Sequence, residues 1–436
     1  MGVVLSEPPG ARRDYRAALD YLFARTTGKS KLGLERTAAL LDELGNPHER
    51  LRSLHVAGTN GKGSVCATME TVLRAKGLRV GKYTSPHLVD FRERFLINGV
   101  RVNEEYVVEF IDRWTPVVER IGATFFEATT AMAFDLFVRE GVDAAIIETG
   151  LGGRLDSTNV VYPLAAGVTS IGIDHVEYLG ETREEIAAEK AGIFKAGVPA
   201  IIGEPEPAIR QLLAKLAKAR GASTIRDVMT DCAPEDVLVT SEGTTFTMTL
   251  GGERGTVRTG LAGAHQASNT SLALLMLDAA GPPFATALDD ARRSLPGVRL
   301  PGRFHRVDPF VFDVAHNPDG ASVFAATVRA VSLPKPIAVV LCVLADKDWR
   351  GVMRSLSDVV SLFIVTDAPT APASRAWSRD GAAEFARREG WTVVSEPDFD
   401  RALERGRAEA ATVLVTGSFH TVGDAMARLN VDPVAG

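Results

Sequence analysis

The amino-acid sequence predicts an α/β protein built on mostly parallel sheets and divided into two domains. Short apolar runs that read as strands alternate with helical stretches along almost the whole chain, the pattern of strand–helix–strand units. At 436 residues the chain exceeds what one hydrophobic core usually organises. Several strand candidates end on polar residues, where parallel sheets gather their functional groups.

Residues 15–24 and 34–44 read as helices, the second stopped by Gly45-Asn46-Pro47. The apolar run Leu54-His55-Val56-Ala57 feeds a glycine-rich turn, and a helical pattern runs from Ser64 to about Lys76. A strand is expected over 79–83, helices over 104–120 and 129–139, a buried strand over 144–147 ending at Glu148, and another over 167–173 ending at Asp174-His175. From about 227 to 257 threonine-rich alternation predicts antiparallel strands attached to the first domain, and a helix follows over 267–280. The run Leu295-Pro296-Gly297-Val298-Arg299-Leu300-Pro301-Gly302 is the best boundary candidate, giving domains 1–297 and 298–436. Beyond it, strands are expected over 310–313, 337–341, 362–366 and 412–415.

A net charge of −6 argues against a nucleic-acid partner, which needs a basic surface. The short clusters Arg12-Arg13 and Arg292-Arg293 read as solvated faces. Three widely spaced cysteines, Cys66, Cys232 and Cys342, fit a reducing cytoplasm and have no metal-ligand spacing. No apolar run reaches the roughly 18 residues of a membrane span. Met1-Gly2-Val3-Val4-Leu5-Ser6 matches the loose N-myristoylation pattern, but such a match arises often by chance and is not read as an anchor.

Gly58-Thr59-Asn60-Gly61-Lys62-Gly63-Ser64 carries the chemistry of triphosphate binding. Glycines let backbone amides curl around phosphate oxygens, the following helix adds the positive end of its dipole, and Lys62 adds a mobile charge. The Ser64 hydroxyl could bind Mg²⁺. The usual spacing is not met, because Val56 stands where the first glycine belongs and Gly63 separates Lys62 from Ser64. A flexible strand-to-helix turn is the bland alternative.

Glu148 stands where a Mg²⁺-binding acid of a nucleotide hydrolase would, before the flexible flank Thr149-Gly150-Leu151-Gly152-Gly153-Arg154-Leu155-Asp156. His175 is similarly placed. Oxygen ligands plus one imidazole suit Mg²⁺ or Mn²⁺ better than zinc. Over 183–196, helical spacing puts Ile186, Lys190, Ile193 and Phe194 on one face. A desolvated Lys190 amine could add carbon dioxide to give an anionic carbamate; spacing alone favours a lysine snorkelling to water. In the second domain Asn317-Pro318 is accounted for as a helix start, leaving Asp313 and His316 unexplained at a strand's carboxyl end. Ala345-Asp346-Lys347-Asp348-Trp349 and Gly417-Ser418-Phe419-His420 face the same edge.

Six motifs in this order make the chain recognisable: Gly58-Thr59-Asn60-Gly61-Lys62-Gly63-Ser64, Tyr83-Thr84-Ser85-Pro86-His87-Leu88, Glu148 with its glycine-rich flank, Glu189-Lys190-Ala191-Gly192-Ile193, Pro301-Gly302-Arg303-Phe304 and Asp313-Val314-Ala315-His316-Asn317-Pro318. The set resembles the folylpolyglutamate synthase and dihydrofolate synthase family of the Mur ligase superfamily, from Lys31-Leu32-Gly33-Leu34-Glu35-Arg36 to Ser418-Phe419-His420. The resemblance implies a P-loop-containing, mostly parallel sheet domain followed by a smaller Rossmann-like α/β domain. It implies an ATP-dependent ligase that joins L-glutamate to a folate or to dihydropteroate through an acyl phosphate; the chain is separately expected to be a cytoplasmic monomer. Thr59, Asn60, Gly61 and Lys62, with Gly63 and Ser64, would cradle ATP phosphates, and Asn269, Arg303 and Asp313 would contact the nucleotide. Ser85, Glu148 and His175 would hold Mg²⁺, Mn²⁺ being an alternative, with Lys190 carbamylated beside them. Phe126, Glu127, Leu155, Asp156 and Ser157 match positions near the pterin, and His316 and Ser418 would position the glutamate and the reacting carboxylate. The rivals are a cell-wall UDP-sugar peptide ligase, which should bring a distinct N-terminal domain where only about 50 residues precede the loop, and a nucleotide-dependent switch without ligation.

Overall fold

The computed structural model describes residues 13–26 and 33–434; the Met1–Ser6 pattern, Arg12 and the Lys31-Leu32 start of the family-like stretch lie outside the described residues. Eight strands form the larger sheet: β1 (Ser53–Ala57), β2 (Val80–Tyr83), β3 (Phe95–Ile97), β4 (Val100–Arg101), β5 (Ala144–Glu148), β6 (Ala165–Val168), β7 (Ala200–Ile202) and β8 (Ile225–Asp227). Their order is β4-β3-β2-β5-β1-β6-β7-β8, parallel except where β3 pairs with β2 and β4. The central strands β1, β5 and β6 are buried throughout, which explains their unbroken apolar runs.

Two helical layers cover this sheet. On one face the helices Lys62–Ala75 and His265–Ala279 pack together in one core with Leu54, Val56 and Ile146. The other face carries Glu104–Ile121 and Phe125–Arg139, joined by Tyr15–Ala24 and Glu35–Glu43. The helix expected from residue 129 begins four residues earlier, at Phe125, because Thr124 and Glu127 form a reciprocal capping box. The glycine-loop helix likewise opens at Lys62 rather than Ser64, with Gly61 at its cap.

The threonine-rich stretch forms its own antiparallel sheet of β9 (Glu235–Thr240), β10 (Gly243–Leu250) and β11 (Glu253–Thr259). Phe246, Met248 and Val257 on its inner face join the core beneath the helix His265–Ala279. The connector is rigid in its first half: Leu295 and Val298 are wholly buried in that same core, and Leu295 accepts a hydrogen bond from Gly260.

The second sheet comprises β12 (His305–Val307), β13 (Phe310–Phe312), β14 (Ile337–Leu341), β15 (Leu362–Val365), β16 (Val393–Ser395) and β17 (Thr412–Thr416), ordered β12-β13-β17-β14-β15-β16. All pairs are parallel except β12–β13. The two large sheets confirm the expected α/β class. Among the described residues no helix is long and apolar enough to cross a membrane.

Candidate active site

The carboxyl ends of β1, β2, β5 and β6 meet at one edge of the larger sheet. β1 lies between β5 and β6, with Val56 beside Glu148 and Ala57 beside Val168, so the glycine loop leaves the sheet next to Glu148. Two of its glycines are dictated by geometry. Gly58 has φ +152°, and a Cβ there would lie 1.7 Å from Thr169 Oγ1; Gly61 has φ +92°, and a Cβ there would lie 2.5 Å from Asn269 Oδ1. Asn269 is thus packed against the loop, held by a bond from its Nδ2 to Gln266 Oε1.

The first intrahelical bond runs from Val65 N–H to Gly61 O, which leaves the amides of Lys62, Gly63 and Ser64 as helix-start donors without a partner among the described residues. Lys62 curls back and donates its Nζ to the carbonyls of Gly58 and Thr59, at 3.0 and 3.2 Å. Thr59 and Asn60 tie the loop to the segment after β6: Thr59 N–H donates to Ser170 O, Thr59 Oγ1 bonds both backbone groups of Gly172, and Thr169 Oγ1 donates to Asn60 O.

That segment departs from expectation. β6 ends at Val168, and residues 169–175 form an irregular loop instead of continuing the strand to Ile173. Its backbone groups turn sideways, to Thr59, Glu204 and Arg183, and so are lost to a sheet ladder. The loop ends on His175 in the left-handed region, at φ 52° and ψ 41°, a conformation that costs an L-residue about 1–2 kcal/mol. Although 42% of its side chain meets solvent, desolvation in the cleft, with Lys347 and Lys190 nearby, lowers the His175 pKa to about 4 and keeps the imidazole neutral.

Lys190 corrects the snorkelling reading. Its helix ends on Lys190 in ordinary helical geometry, one turn after the wholly buried Ile186, so the side chain points inward and is 4% exposed; a 3₁₀ turn, Ala191–Ile193, follows. Its Nζ donates to Gly58 O at 2.9 Å, the same carbonyl that Lys62 uses. Burial, reinforced by the charge of Lys62, pulls its pKa down to about 7. Glu148 is 6% exposed and receives a single hydrogen bond among the described residues, from Ser85 N–H at 3.3 Å. Burial pushes its pKa up, while Lys62, Arg303 and Lys82 pull the other way. A buried carboxylate this short of donors, beside a serine, is the kind of ligand a hard divalent cation takes. No group of three or more His, Cys, Asp or Glu side chains gathers for a metal among the described residues.

The glycine-rich flank of Glu148 is organised by Asp156, whose carboxylate accepts N–H bonds from Gly150, Leu151 and Thr158. Gly150 lies under Phe126, whose ring a Cβ would meet at 2.3 Å. Glu127 is engaged elsewhere: it accepts from Thr124 N–H and pairs with Arg36 at 2.7 Å. Ser157, also buried, begins the 3₁₀ turn that Asp156 caps, directly after Leu155.

The second domain reaches the same edge. Arg303 lies over the Phe419 ring, close enough to Asp313 and Glu148 for their charges to offset the burial that lowers its pKa. Asp313 accepts from the backbone of Phe304 and Ala315, at 2.9 and 3.0 Å. Ser418 caps the helix Phe419–Arg428 by accepting Thr421 N–H, and its hydroxyl also bonds Thr421 Oγ1. His316 lies tilted against the Phe419 ring and reaches across the cleft, its Nε2 lying 3.3 Å from Asp174 Oδ2. Asn317 and Lys347 bond the same carboxylate. Sequence reasoning saw Asp174 and Lys347 only as strand-end residues; a bridge between residues 173 positions apart leaves no local periodic signal.

This two-domain architecture around a phosphate-type loop is that of the Mur ligases: residues 56–277 match the family model of the Mur ligase middle domain, and residues 302–419 match that of the Mur ligase, glutamate ligase domain. The chain is 34% identical over 429 residues to the dihydrofolate synthase/folylpolyglutamate synthase of Bacillus subtilis, covering 95% of this chain and 99% of that protein. The Mycobacterium tuberculosis folylpolyglutamate synthase complexed with ADP superposes with a TM-score of 0.88 at 32% identity, covering 96% of this chain and 100% of that one. The Yersinia pestis bifunctional folylpolyglutamate synthase/dihydrofolate synthase complexed with AMPPNP and Mn ion gives 0.83 at 33% identity, covering 97% and 100%. The chain belongs to the dihydrofolate synthase/folylpolyglutamate synthase family.

Proposed function

We propose that this chain joins the amine of L-glutamate to the carboxylate of a folate, and of dihydropteroate, at the expense of ATP. The observation that carries the reading is the convergence on one sheet edge of the glycine loop, the under-bonded Glu148 carboxylate and the Lys190 amine, faced by a second domain whose His316 and Lys347 meet Asp174. We divide the chain into an ATP-binding domain, 1–297, and a glutamate-ligase domain, 298–436.

A carboxylate is a poor electrophile, so its oxygen first takes the γ-phosphoryl group of ATP to give an acyl phosphate. The loop Thr59-Asn60-Gly61-Lys62-Gly63-Ser64 cradles the phosphates through its amides, and Lys62 swings from the Gly58 carbonyl to the transferring phosphoryl. Asn269 beneath Gly61, and Arg303 and Asp313 from across the cleft, contact the rest of the nucleotide. Ser85, Glu148, His175 and Lys190 would hold Mg²⁺ or Mn²⁺, which would neutralise phosphate charge. With a pKa near 7 the Lys190 amine is substantially neutral at physiological pH, the state that adds carbon dioxide and releases a proton to become a carbamate. Phe126, over Gly150, and Leu155 and Ser157 line the pterin side; Glu127 and Asp156 hold that wall in shape. His316 orients the glutamate and the reacting carboxylate, and Ser418 holds the helix start beside it. Docking of the second domain excludes water that would hydrolyse the acyl phosphate.

We read the chain as a cytoplasmic monomer without nucleic-acid or membrane partners; the three free, buried cysteines bear on the reducing compartment of that reading. The test is ATP-dependent phosphate release with L-glutamate and either dihydropteroate or tetrahydrofolate. Release with both, dependent on glutamate, is expected; release with neither refutes the reading.

A further inference from the structure

The loop that delivers His175 is gripped at one residue from both sides. Ile171 lies four positions before His175 and is 2% exposed. Its N–H donates to Glu204 Oε2 at 2.6 Å, and its carbonyl accepts from Arg183 Nε at 2.9 Å. The two side chains close the ring on each other, Arg183 Nη2 to Glu204 Oε1 at 3.1 Å. Glu204 is wholly buried just after β7, and Arg183 opens the helix that ends on Lys190. Glu206 pairs with Arg183 and donates its N–H to Glu204, fixing the pair in turn.

A buried carboxylate is a costly way to hold a loop, since Glu204 must be wholly desolvated while Arg183 stays 35% exposed, and a packed aliphatic residue would fill the space as well. What the pair offers is direction. Guanidinium and carboxylate planes seize both the donor and the acceptor of a single peptide residue, which fixes the backbone's rotation as well as its place. Thr59 does the same to the next residue, bonding both backbone groups of Gly172. Three residues later the chain must enter the left-handed conformation of His175, at φ +52°. Side chains that hold a ligand's orientation from behind are worth about 10–100-fold in metal affinity.

We infer that Glu204 and Arg183 are positioning residues for His175, acting through the backbone of Ile171 to aim the imidazole into the site, an inference that rests on reading His175 as a ligand of the divalent cation. Mn²⁺ affinity, measured in the presence of AMPPNP from the electron paramagnetic resonance signal of free Mn²⁺, separates this role from general stabilisation. Glu204→Ala should weaken Mn²⁺ binding about 10-fold or more in the wild-type background and leave it unchanged in a His175→Ala background. Equal weakening in both backgrounds, or none in either, overturns the clamp. If His175→Ala itself leaves Mn²⁺ affinity at the wild-type value, the ligand reading falls and takes the inference with it. Should Glu204→Ala fail to fold, Arg183→Lys supplies the same cycle, because one ammonium keeps the charge but cannot span the Ile171 carbonyl and Glu204 in the planar geometry of the guanidinium.

Discussion

Lys62 and Lys190 aim their amines at a single oxygen, the Gly58 carbonyl, from 3.0 and 2.9 Å. Two ammonium groups this close repel, and the buried one yields: Lys190 falls to about 7, first through burial and then through the charge of Lys62. Removing the Lys62 charge should therefore raise the Lys190 pKa and reduce the neutral fraction that takes up carbon dioxide. In ¹³C-bicarbonate-labelled protein, the carbamate signal should grow in at higher pH in Lys62→Met than in wild type. An unmoved midpoint would dissolve the coupling. Separately, Lys62→Ala should lower turnover by about 10²–10³-fold, since it removes a charge that serves the transferring phosphoryl.

The same amine predicts a pH limit and a rescue. Below pH 7 Lys190 is protonated and cannot form a carbamate, so activity should fall as pH drops through that value and recover partly with added bicarbonate. Lys190→Ala should lose activity about 10²-fold or more, with partial return on adding short carboxylic acids that occupy the vacated space. Wild-type turnover in Lys190→Ala would refute the carbamate role.

Asp174 is the meeting point of the two domains. Its carboxylate, 9% exposed, holds Lys347, 8% exposed, together with His316 and Asn317. These donors, His175 beside it included, hold its pKa well below the usual carboxylate range, so the bridge persists at every pH the fold tolerates. Asp174→Ala strands the Lys347 ammonium without its partner, costing about 3 kcal/mol of docking. Calorimetry should resolve two transitions where wild type has one, and X-ray scattering should give a larger radius of gyration. A single unchanged transition would mean the bridge does not hold the domains.

The fold was legible because parallel strands buried on both faces leave unbroken apolar runs: β1, β5, β14 and β17 lie where the sequence places them, to within a residue. Glu148 and Lys62 were legible for the same reason, since each sits at the mouth of such a strand. The short strands β7, β8 and β16 were not, each being three residues long. Spacing placed Lys190 on the apolar face with Ile186 but could not show that its amine ends on the Gly58 carbonyl instead of snorkelling to water, because that acceptor lies 132 residues away. Arg183 and Glu204 were invisible because their shared target is the backbone of Ile171, and backbone contacts leave no mark on residue type.

Gly192 tests how tightly Lys190 is placed. A Cβ there would lie 2.3 Å from Arg154 Cα and 2.6 Å from Arg154 N, backbone that cannot rotate away. Gly192→Ala should cost about 1–3 kcal/mol by overpacking and should also reduce kcat, because the turn it displaces is capped by Lys190. Gly122→Ala meets nothing within 4 Å among the described residues, yet forces an alanine to φ +70°. It should therefore lower Tm without changing kcat at a temperature where both proteins are folded. If Gly192→Ala behaves the same way, the turn has slack that the packing denies.

Acid sensitivity should come largely from buried histidines. His55 is wholly buried, and Thr158 Oγ1 gives its proton to Asp156, so His55 must donate from Nε2. That leaves Nδ1 bare and without a partner among the described residues, and a proton there would be a desolvated charge; burial lowers the His55 pKa to about 3. His87 accepts from Arg94 Nε at 2.8 Å, which likewise forbids protonation of its Nδ1, and its pKa is also about 3, through burial and then the Arg94 charge. His265 lies at about 4 for the same first cause. All three are below the unfolded value near 6.5, so the unfolded chain takes up protons that the folded chain refuses. Their contribution is intact above pH 6.5 and is lost as pH falls from there toward 3–4, at up to about 4 kcal/mol per pH unit for the three together. Urea midpoints between pH 7 and 5 should fall accordingly, and His87→Gln, whose amide oxygen can still accept from Arg94, should flatten the slope by about one proton. An unaltered slope would place the acid sensitivity in other groups.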